Sequence, residues 1–580
     1  MIPYSPATAD QLLAIRINAG IEELARSERF AAAEPDMVEA IVEGIGQFAA
    51  GEWAPLNRVG DLEGAKLENG VVRLPDGYAE AYAHYVEQGW NAIAGPADSG
   101  GQGLPFTLSC NVLENLGTAN MAFTLLPILS VGAIEALEHH GSETQKAKYL
   151  PDLVSGAWSG TMNLTEPQAG SDVGALRTTA EKIEDGEHAG KYRIAGQKIY
   201  ITWGDHELAQ NIVHLVLARV PGAPEGSRGI SLFLVPKYRV KDDGSLGPHN
   251  DLRPVSLEHK LGINASPTCV MSYGDNGECI GEIVGEENRG LAAMFTMMNN
   301  ARINVGNQGV QIAERATQQA MAYARERIQS ARAGAADKSP VAILEHPDVR
   351  RMLLRMKALT QGARALLYYT AGQVDRGTLG DADARARAEI CVPLLKAWGT
   401  DTGVEVASLG IQIHGGMGFV EETGAAQHWR DSRIAPIYEG TNGIQAADLV
   451  TRKLGMDDGA ALTTFLETIA RECAHEADLF ALAGDCAAVA HWMREDASLD
   501  DRLAGSVPFC TMMAVAVAGW QLNRQLAVVA AGEPSDVADA KRVAVRFFLD
   551  RIVPEARGLK AGATGGAATL YELSAEQLVG

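Results

Sequence analysis

Apolar positions along this chain return with two different periods, and the change of period divides it. Through most of the length they recur every three to four residues, as on one face of a helix. Met37, Ile41, Ile45 and Phe48 mark such a face over 36–48, and one amphipathic helix is expected before it, around 9–26. Residues 60–75 read as loop and short extended pieces, 77–88 as helix, and 106–140 as a helix-rich, small-residue stretch. The next helix opens after Gly141, where Ser142 and Gln145 stand at capping-box spacing. From about Trp158 the pattern shifts. Residues 191–203 (KYRIAGQKIYITW), 211–220 (NIVHLVLARV) and 229–235 (GISLFLV) are rich in Val, Ile and aromatics and partly alternate. Several short antiparallel strands are therefore expected between 158 and 284, a β-domain inserted between helical segments. The helical period resumes over 290–329, with Leu291, Phe295, Met298, Ile303 and Val310 as its candidate apolar face. A loop at 330–341 follows, then helices over 346–376, 381–413 and 442–454. Past 455–459 the chain is Ala-rich, with helices expected over 460–483, 486–496, 504–532 and 535–557 and a Gly-containing tail from 562 to 580.

Composition narrows the function classes. The 580 residues leave room for several cores, and 46% hydrophobic with 21% charged is ordinary for soluble protein. A net charge of −23, from 50 basic and 73 acidic residues, opposes general binding to nucleic acid or anionic membrane. Seven cysteines form no CxxC pair, which reads as reduced thiols and a cytoplasmic location. No signal peptide, no apolar stretch of membrane-spanning length and no C-terminal targeting or lipidation motif is expected. The paired His139 and His140 diverge around a helix axis and have no partner ligands in the pattern, so no metal site is expected.

Four stretches could carry chemistry. Residues 434–445 (IAPIYEGTNGIQ) hold one carboxylate, Glu439, between amphipathic Tyr438 and Gly440. Thr441 or Asn442 could cap a following helix, leaving Glu439 in a joint between helices. Apolar neighbours would raise its pKa toward that of a general base, while the helix N-terminus pulls the other way. The alternative is a joint whose Glu merely caps the helix. Residues 162–173 (MNLTEPQAGSDV) form a hydroxyl-bearing loop that could bind an anion or a polar ring edge, or be an ordinary turn. In 197–204 (QKIYITWG), Tyr200 and Thr202 alternate onto one strand face, suited to a planar cofactor or simply to core. Gly415, Gly416 and Gly418 in 412–418 (QIHGGMG) would let backbone approach phosphates, by itself a weak signal.

Together these stretches resemble the acyl-CoA dehydrogenase family. The match runs in order from about residue 36 to 455 through PADSGGQGLP (96–105), LTEPQAGSDV (164–173), ITWG (201–204), KLG (260–262), QIHGGMGF (412–419) and YEGTNGIQ (438–445). The resemblance implies an α+β multidomain fold with FAD between its domains: an N-terminal α-helical domain (36–158), a middle antiparallel β-domain (159–285) and a C-terminal helical bundle (286–455). Residues 1–35 would be an N-terminal extension and 456–580 an additional helical domain, as in the larger members, including bacterial branches acting on fatty acyl-CoA or 3-methylmercaptopropionyl-CoA.

By position in the motifs, the resemblance makes Glu439 the base that removes the α-proton of an acyl-CoA thioester while the β-hydrogen leaves as hydride to flavin N5. The Glu439 N–H would stabilise the enolate oxygen, and Gly440 would allow the close approach. Met162, Leu164, Thr165, Gly170 and Ser171 look like the loop over the flavin, Ser171 also touching substrate. Tyr200 stands where the family commonly has Trp, with Thr202 beside it. Arg327, Gln412 and Gly416 look like contacts to FAD of a neighbouring subunit, and Thr441 like a contact from the base's side. Arg302 matches an arginine near the base and the CoA arm, and Met298, with Met294 and Ala301, could line the acyl pocket. The sequence departs from the family after Arg327, where a Phe-Gly pair is missing and the loop is enlarged, and at Asn299, where several members carry an acid. Ala301 stands where some relatives place the base. Electron-transfer flavoprotein is the implied electron acceptor, and a homodimer the implied assembly. The alternatives are an acyl-CoA oxidase using O2 and, remotely, a nucleic-acid-associated relative, which the acidic charge disfavours.

Overall fold

The computed structural model describes residues 2–580 and separates into two compact units, one of 47–301 and one of 2–46 with 302–580. The boundary falls inside the longest helix, Gly290–Glu326.

Unit 47–301 is helical first and then β. Helices Phe106–Ala119 and Met121–His140 are separated at Asn120, whose side chain caps the second by accepting from Phe123 N at 3.2 Å. Trp53 stacks on Phe123 at 4.0 Å between centroids. Helix Met121–His140 amends the sequence expectation. It is long and apolar enough to cross a membrane by length and composition, yet 83% of that window is buried inside the fold. It lies against strand Trp158–Asn163 so closely that a Cβ on Gly160 would sit 2.4 Å from that of Ala133. The capping box at Ser142 forms as the spacing predicts, at 3.2 and 3.0 Å.

The sheet has eight strands, and it is mixed rather than antiparallel. Strand Trp158–Asn163 pairs parallel with Asn211–Arg219, in register Trp158 with Asn211. The remaining long pairings, including Asn211–Arg219 with Ile230–Pro236, are antiparallel. The cause is burial on both faces. Every residue of Trp158–Asn163 and Ile230–Pro236 is buried, so neither strand shows the alternation of a half-buried antiparallel strand. Strand Tyr192–Thr202 alternates over most of its length, then slips register against Thr268–Tyr273 between Lys198 and Ile201. The bulge puts Tyr200 at φ 58°, so Lys198 is fully buried while Tyr200 is 60% exposed.

In the other unit, helices Pro347–Thr378 and Ala382–His414 pack on the part of Gly290–Glu326 beyond Arg302. Glycines permit the approach: a Cβ on Gly309 would sit 1.9 Å from Gly399 O. Helix Ser506–Ala531 is buried over most of 506–525. The single helix expected around 9–26 is instead Thr8–Ala14, a widened turn Ile15–Ala19 and Ile21–Leu24, broken at Gly20 (φ 70°). The break has a cause: Arg376 reaches in to donate to Ala19 O at 2.8 Å, and Asn18 Nδ2 donates to Gln521 O and Oε1, each at 3.1 Å. Helix 460–483 is likewise interrupted at 473–476 rather than at 484–485, since Glu476 turns out to receive Arg546 at 2.7 and 3.0 Å. On Gly290–Glu326 the buried face runs through Met294, Met297 and Ala301, not through Phe295, which is 39% exposed.

Candidate active site

Pro436 ends the preceding helical turns and the chain reverses through two left-handed residues, Glu439 (φ 56°) and Gly440 (φ 82°). A non-glycine residue held there costs ~1 kcal/mol or more, which surrounding contacts must offset. Three do. Tyr438 OH donates to Gln308 Oε1, Asn442 N–H donates to Pro436 O at 3.0 Å, and Gln445 Nε2 donates to Glu439 O at 3.1 Å and Gly440 O at 3.4 Å. The helix cap is Thr441, whose hydroxyl accepts from Ile444 N at 3.2 Å. Glu439 is therefore not the cap, and its carboxylate is free for chemistry. With both carbonyls taken by Gln445, the N–H of Glu439 donates to nothing among the described residues.

Glu439 is partly exposed, and its carboxyl is raised above the usual range, burial outweighing the pull of Arg302 and then Lys396. Arg302 is pushed the other way: burial lowers its pKa and Glu439 restores part of it. The joint is thus a recessed carboxyl that ionises reluctantly near two cations, with an unused backbone amide on the same residue. That combination suits proton abstraction next to a developing oxyanion.

In unit 47–301 the loop after strand Trp158–Asn163 is tied down from beneath. Glu166 and Ala169 exchange backbone hydrogen bonds at 3.1 and 2.9 Å, and Ile199 N–H donates to Thr165 O at 2.9 Å. The buried Glu166 carboxylate accepts from Lys198 Nζ (2.8 Å), Arg177 N (2.6 Å), Thr178 N (3.0 Å) and Thr178 Oγ1 (2.5 Å). Burial pushes this carboxyl up, but Lys198 and these donors prevail and hold it at about 2. Lys198 also donates to Leu164 O at 3.1 Å. Above this anchor Met162 is buried, Leu164 and Thr165 are partly buried, and Gly170 and Ser171 are exposed. Thr202, partly buried, offers its carbonyl to Thr161 Oγ1 at 2.8 Å. Met298 is partly buried at the core's edge, whereas Met294 and Ala301 belong to the core itself.

In the other unit, Tyr323 stacks on His414 at 4.3 Å, bringing together the ends of two helices, one followed by Arg327 and the other carrying Gln412. Arg327, Gln412 and Gly416 are all exposed, and a Cβ on Gly416 would meet nothing within 4 Å. The enlarged loop after Arg327 is closed by Gln329 N–H to Val341 O at 3.0 Å and Val341 N–H to Ser330 O at 2.9 Å.

Four family models match successive parts of the chain: the acyl-CoA dehydrogenase N-terminal domain at 36–157, middle domain at 161–275, C-terminal domain at 288–454, and an acetyl-CoA dehydrogenase C-terminal-like domain at 461–574. The chain belongs to the acyl-CoA dehydrogenase family. It is 47% identical over 576 residues to the 3-methylmercaptopropionyl-CoA dehydrogenase of Ruegeria pomeroyi, covering 95% of this chain and 96% of that one. It is 31% identical to the broad-specificity linear acyl-CoA dehydrogenase FadE5 of Mycobacterium tuberculosis, over 96% of both. Its fold is similar to that of an acyl-CoA dehydrogenase from Bacillus anthracis complexed with FAD, with TM-score 0.72 at 22% identity over 94% of this chain and 90% of that one. The chain is an oxidoreductase acting on the CH–CH bond of an acyl-CoA, with FAD as cofactor.

The residues present fit that cofactor. Tyr200 offers an exposed aromatic plane held by the bulge, Ser171 an exposed hydroxyl, and Gly170 and Gly416 backbone that no neighbouring atom would crowd. Sequence reasoning singled out residues in these loops and passed over the pairings that hold the loops in place. The pairings of Lys198 with Glu166 and of Lys396 with Asn442 span stretches that the chain alone does not join.

Proposed function

We propose that Glu439 abstracts the α-proton of an acyl-CoA thioester, with 3-methylmercaptopropionyl-CoA or a fatty acyl-CoA as substrate and the trans-2-enoyl-CoA as product. The observation that carries this reading is the left-handed joint itself, which combines a recessed carboxyl of raised pKa with an unused Glu439 N–H. The carboxylate takes the proton. The N–H donates to the thioester oxygen as negative charge grows there. Arg302 and Lys396 keep a fraction of Glu439 ionised against the pull of burial. FAD, when bound, supplies the acceptor for the β-hydride; Met162, Thr165, Ser171, Tyr200 and Thr202 would hold its ring system, Thr441 would contact it from the base's side, and Arg327, Gln412 and Gly416 would meet the FAD of a neighbouring subunit. Near-full-length similarity to the Ruegeria enzyme supports the sulfur-containing acyl chain. Met298, the adaptable side chain left at the core's edge, suits such a chain. Electron-transfer flavoprotein as acceptor, a cytoplasmic location and a homodimeric assembly complete the proposal.

Anaerobic titration of the holoenzyme with 3-methylmercaptopropionyl-CoA and with straight-chain acyl-CoAs of graded length tests it. Bleaching of the flavin band by the first or by one range of the straight chains is expected, with slow reoxidation in air and fast reoxidation by electron-transfer flavoprotein. Rapid peroxide formation would instead make the enzyme an oxidase. Glu439→Gln should retain FAD and show no bleaching; full bleaching in that variant ends the assignment of the base.

A further inference from the structure

Lys396 sits in the middle of helix Ala382–His414 with 0% exposure, and no carboxylate lies within ion-pair distance of its ammonium among the described residues. Its one hydrogen-bond acceptor is neutral: Nζ donates to Asn442 Oδ1 at 3.0 Å. A buried ammonium with a single neutral partner is costly, and an apolar side chain would pack there with less penalty. Asn442 spends its other end on the same helix, Nδ2 lying 3.0 Å from Ala397 O, 3.0 Å from Thr400 Oγ1 and 2.8 Å from Asp401 Oδ1. Asn442 is the first residue of the helix that begins right after Glu439, Gly440 and Thr441. The far side of the left-handed joint is therefore bolted to helix Ala382–His414, and Lys396 is one of the bolts.

The same ammonium bears electrostatically on Glu439. The charges around the joint come from three helices. Arg302 acts from Gly290–Glu326 and is itself flanked by Asp448 and Arg452; Asp401 faces Lys396 from its own helix and is flanked by Arg433 and Glu405. Only Arg302 and Lys396 draw Glu439 toward its ionised form.

Resting on the reading of Glu439 as the base, we infer that Lys396 is a positioning residue for proton abstraction: its buried ammonium holds the Glu439 turn through Asn442 and, together with Arg302, places positive charge around the base. The two halves separate experimentally. The rate of flavin reduction is measured against pH, without oxygen, in holoenzyme variants mixed with 3-methylmercaptopropionyl-CoA or butyryl-CoA, whichever reduces the parent. Lys396→Met should move the midpoint of the rising limb upward by about one pH unit, so that the rate below the midpoint falls about tenfold. Lys396→Arg should bring the midpoint back toward that of the parent. Asn442→Ala keeps the charge and should lower the limiting rate with the midpoint in place. If the methionine chain does not retain FAD, Lys396→Gln removes the charge while keeping a donor toward Asn442, and the same upward shift is expected. An unmoved midpoint in the charge-removing variant overturns the inference, because a lysine that only fills space would lower stability or the limiting rate without moving the titration. Glu439→Gln separates the two claims. If it reduces flavin as the parent does, the base reading fails; if it is inert and the Lys396 midpoint is unmoved, only the role of Lys396 fails.

Discussion

At the scale of single residues, two carboxylates, one in each compact unit, are pushed in opposite directions by what surrounds them. Glu439 is raised because burial outweighs Arg302 and Lys396, whereas Glu166 is held at about 2 because Lys198, Thr178 and the Arg177 N–H outweigh burial. The first placement makes activity rise with pH through the Glu439 titration, since only the carboxylate accepts a proton. The second makes Glu166 a stability group. Its folded pKa lies below its unfolded value of 4.5, so its contribution is complete above that value and disappears as pH falls through about 2. Lys198→Met would leave a buried carboxylate without its cation, at a cost of ~3–5 kcal/mol. Thermal melting should show a large loss, accompanied by weakened FAD retention because the Leu164–Thr165 loop loses its anchor; an unchanged melting temperature and full FAD content would refute that role. The turn at Glu439 was legible in the sequence because Pro436, Gly440 and Thr441, which shape it, are its neighbours in the chain. Lys198 and Lys396 were not. Each is an unremarkable lysine until folding carries a partner to it from 32 or 46 residues away.

At the scale of elements, period and caps read well and direction did not. The helical faces over 36–48 and 77–88 appear as Pro35–Phe48 and Tyr78–Glu87, because amphipathic spacing is written in the local sequence. The parallel pairing of Trp158–Asn163 left no such mark, and the bulge at Tyr200 overturned simple alternation, since both arise from partners elsewhere in the sheet. The joint at 438–442 shows why the element matters more than the residue it displays. Gly440→Ala would put a Cβ 2.7 Å from Gln445 Nε2 on a backbone already at φ 82°. The left-handed penalty alone is ~1–2 kcal/mol, and displacing Gln445 would release the two carbonyls it holds. The expected result is a modestly lower melting temperature with a disproportionately slower flavin reduction at unchanged FAD content. A rate loss no larger than the stability loss would mean that the turn does not position the base.

At the scale of the whole chain, the residues beyond 455 extend past the motifs that carry the family resemblance, yet they are not a detachable addition. They belong to the same compact unit as residues 2–46 and 302–454. The N-terminal segment is held largely by partners from both sides of residue 455. Asp10 meets Lys541 at 3.3 Å and Gln361 at 3.0 Å, Asn18 meets Gln521, and Gly20 closes on Arg376. Helix Ser506–Ala531 also presents buried Met512, Met513, Val515 and Trp520 to its neighbours, Trp520 lying edge-on to Tyr369 at 5.2 Å. Sequence patterning placed these helices but could not show what they cover, because an apolar face does not name its partner. A chain ending at Gly459 would expose the apolar surface of Pro347–Thr378 and Ala382–His414, take Lys541 from Asp10 and take Gln521 and Gln525 from Asn18. The expected outcome is an insoluble or molten product with no cooperative melting transition and no bound FAD, even though every residue assigned to the chemistry is still present. A truncated protein that melts cooperatively and is still bleached by substrate would instead make residues 460–580 an accessory layer, and the buried polar contacts at Asp10 and Asn18 incidental to the fold.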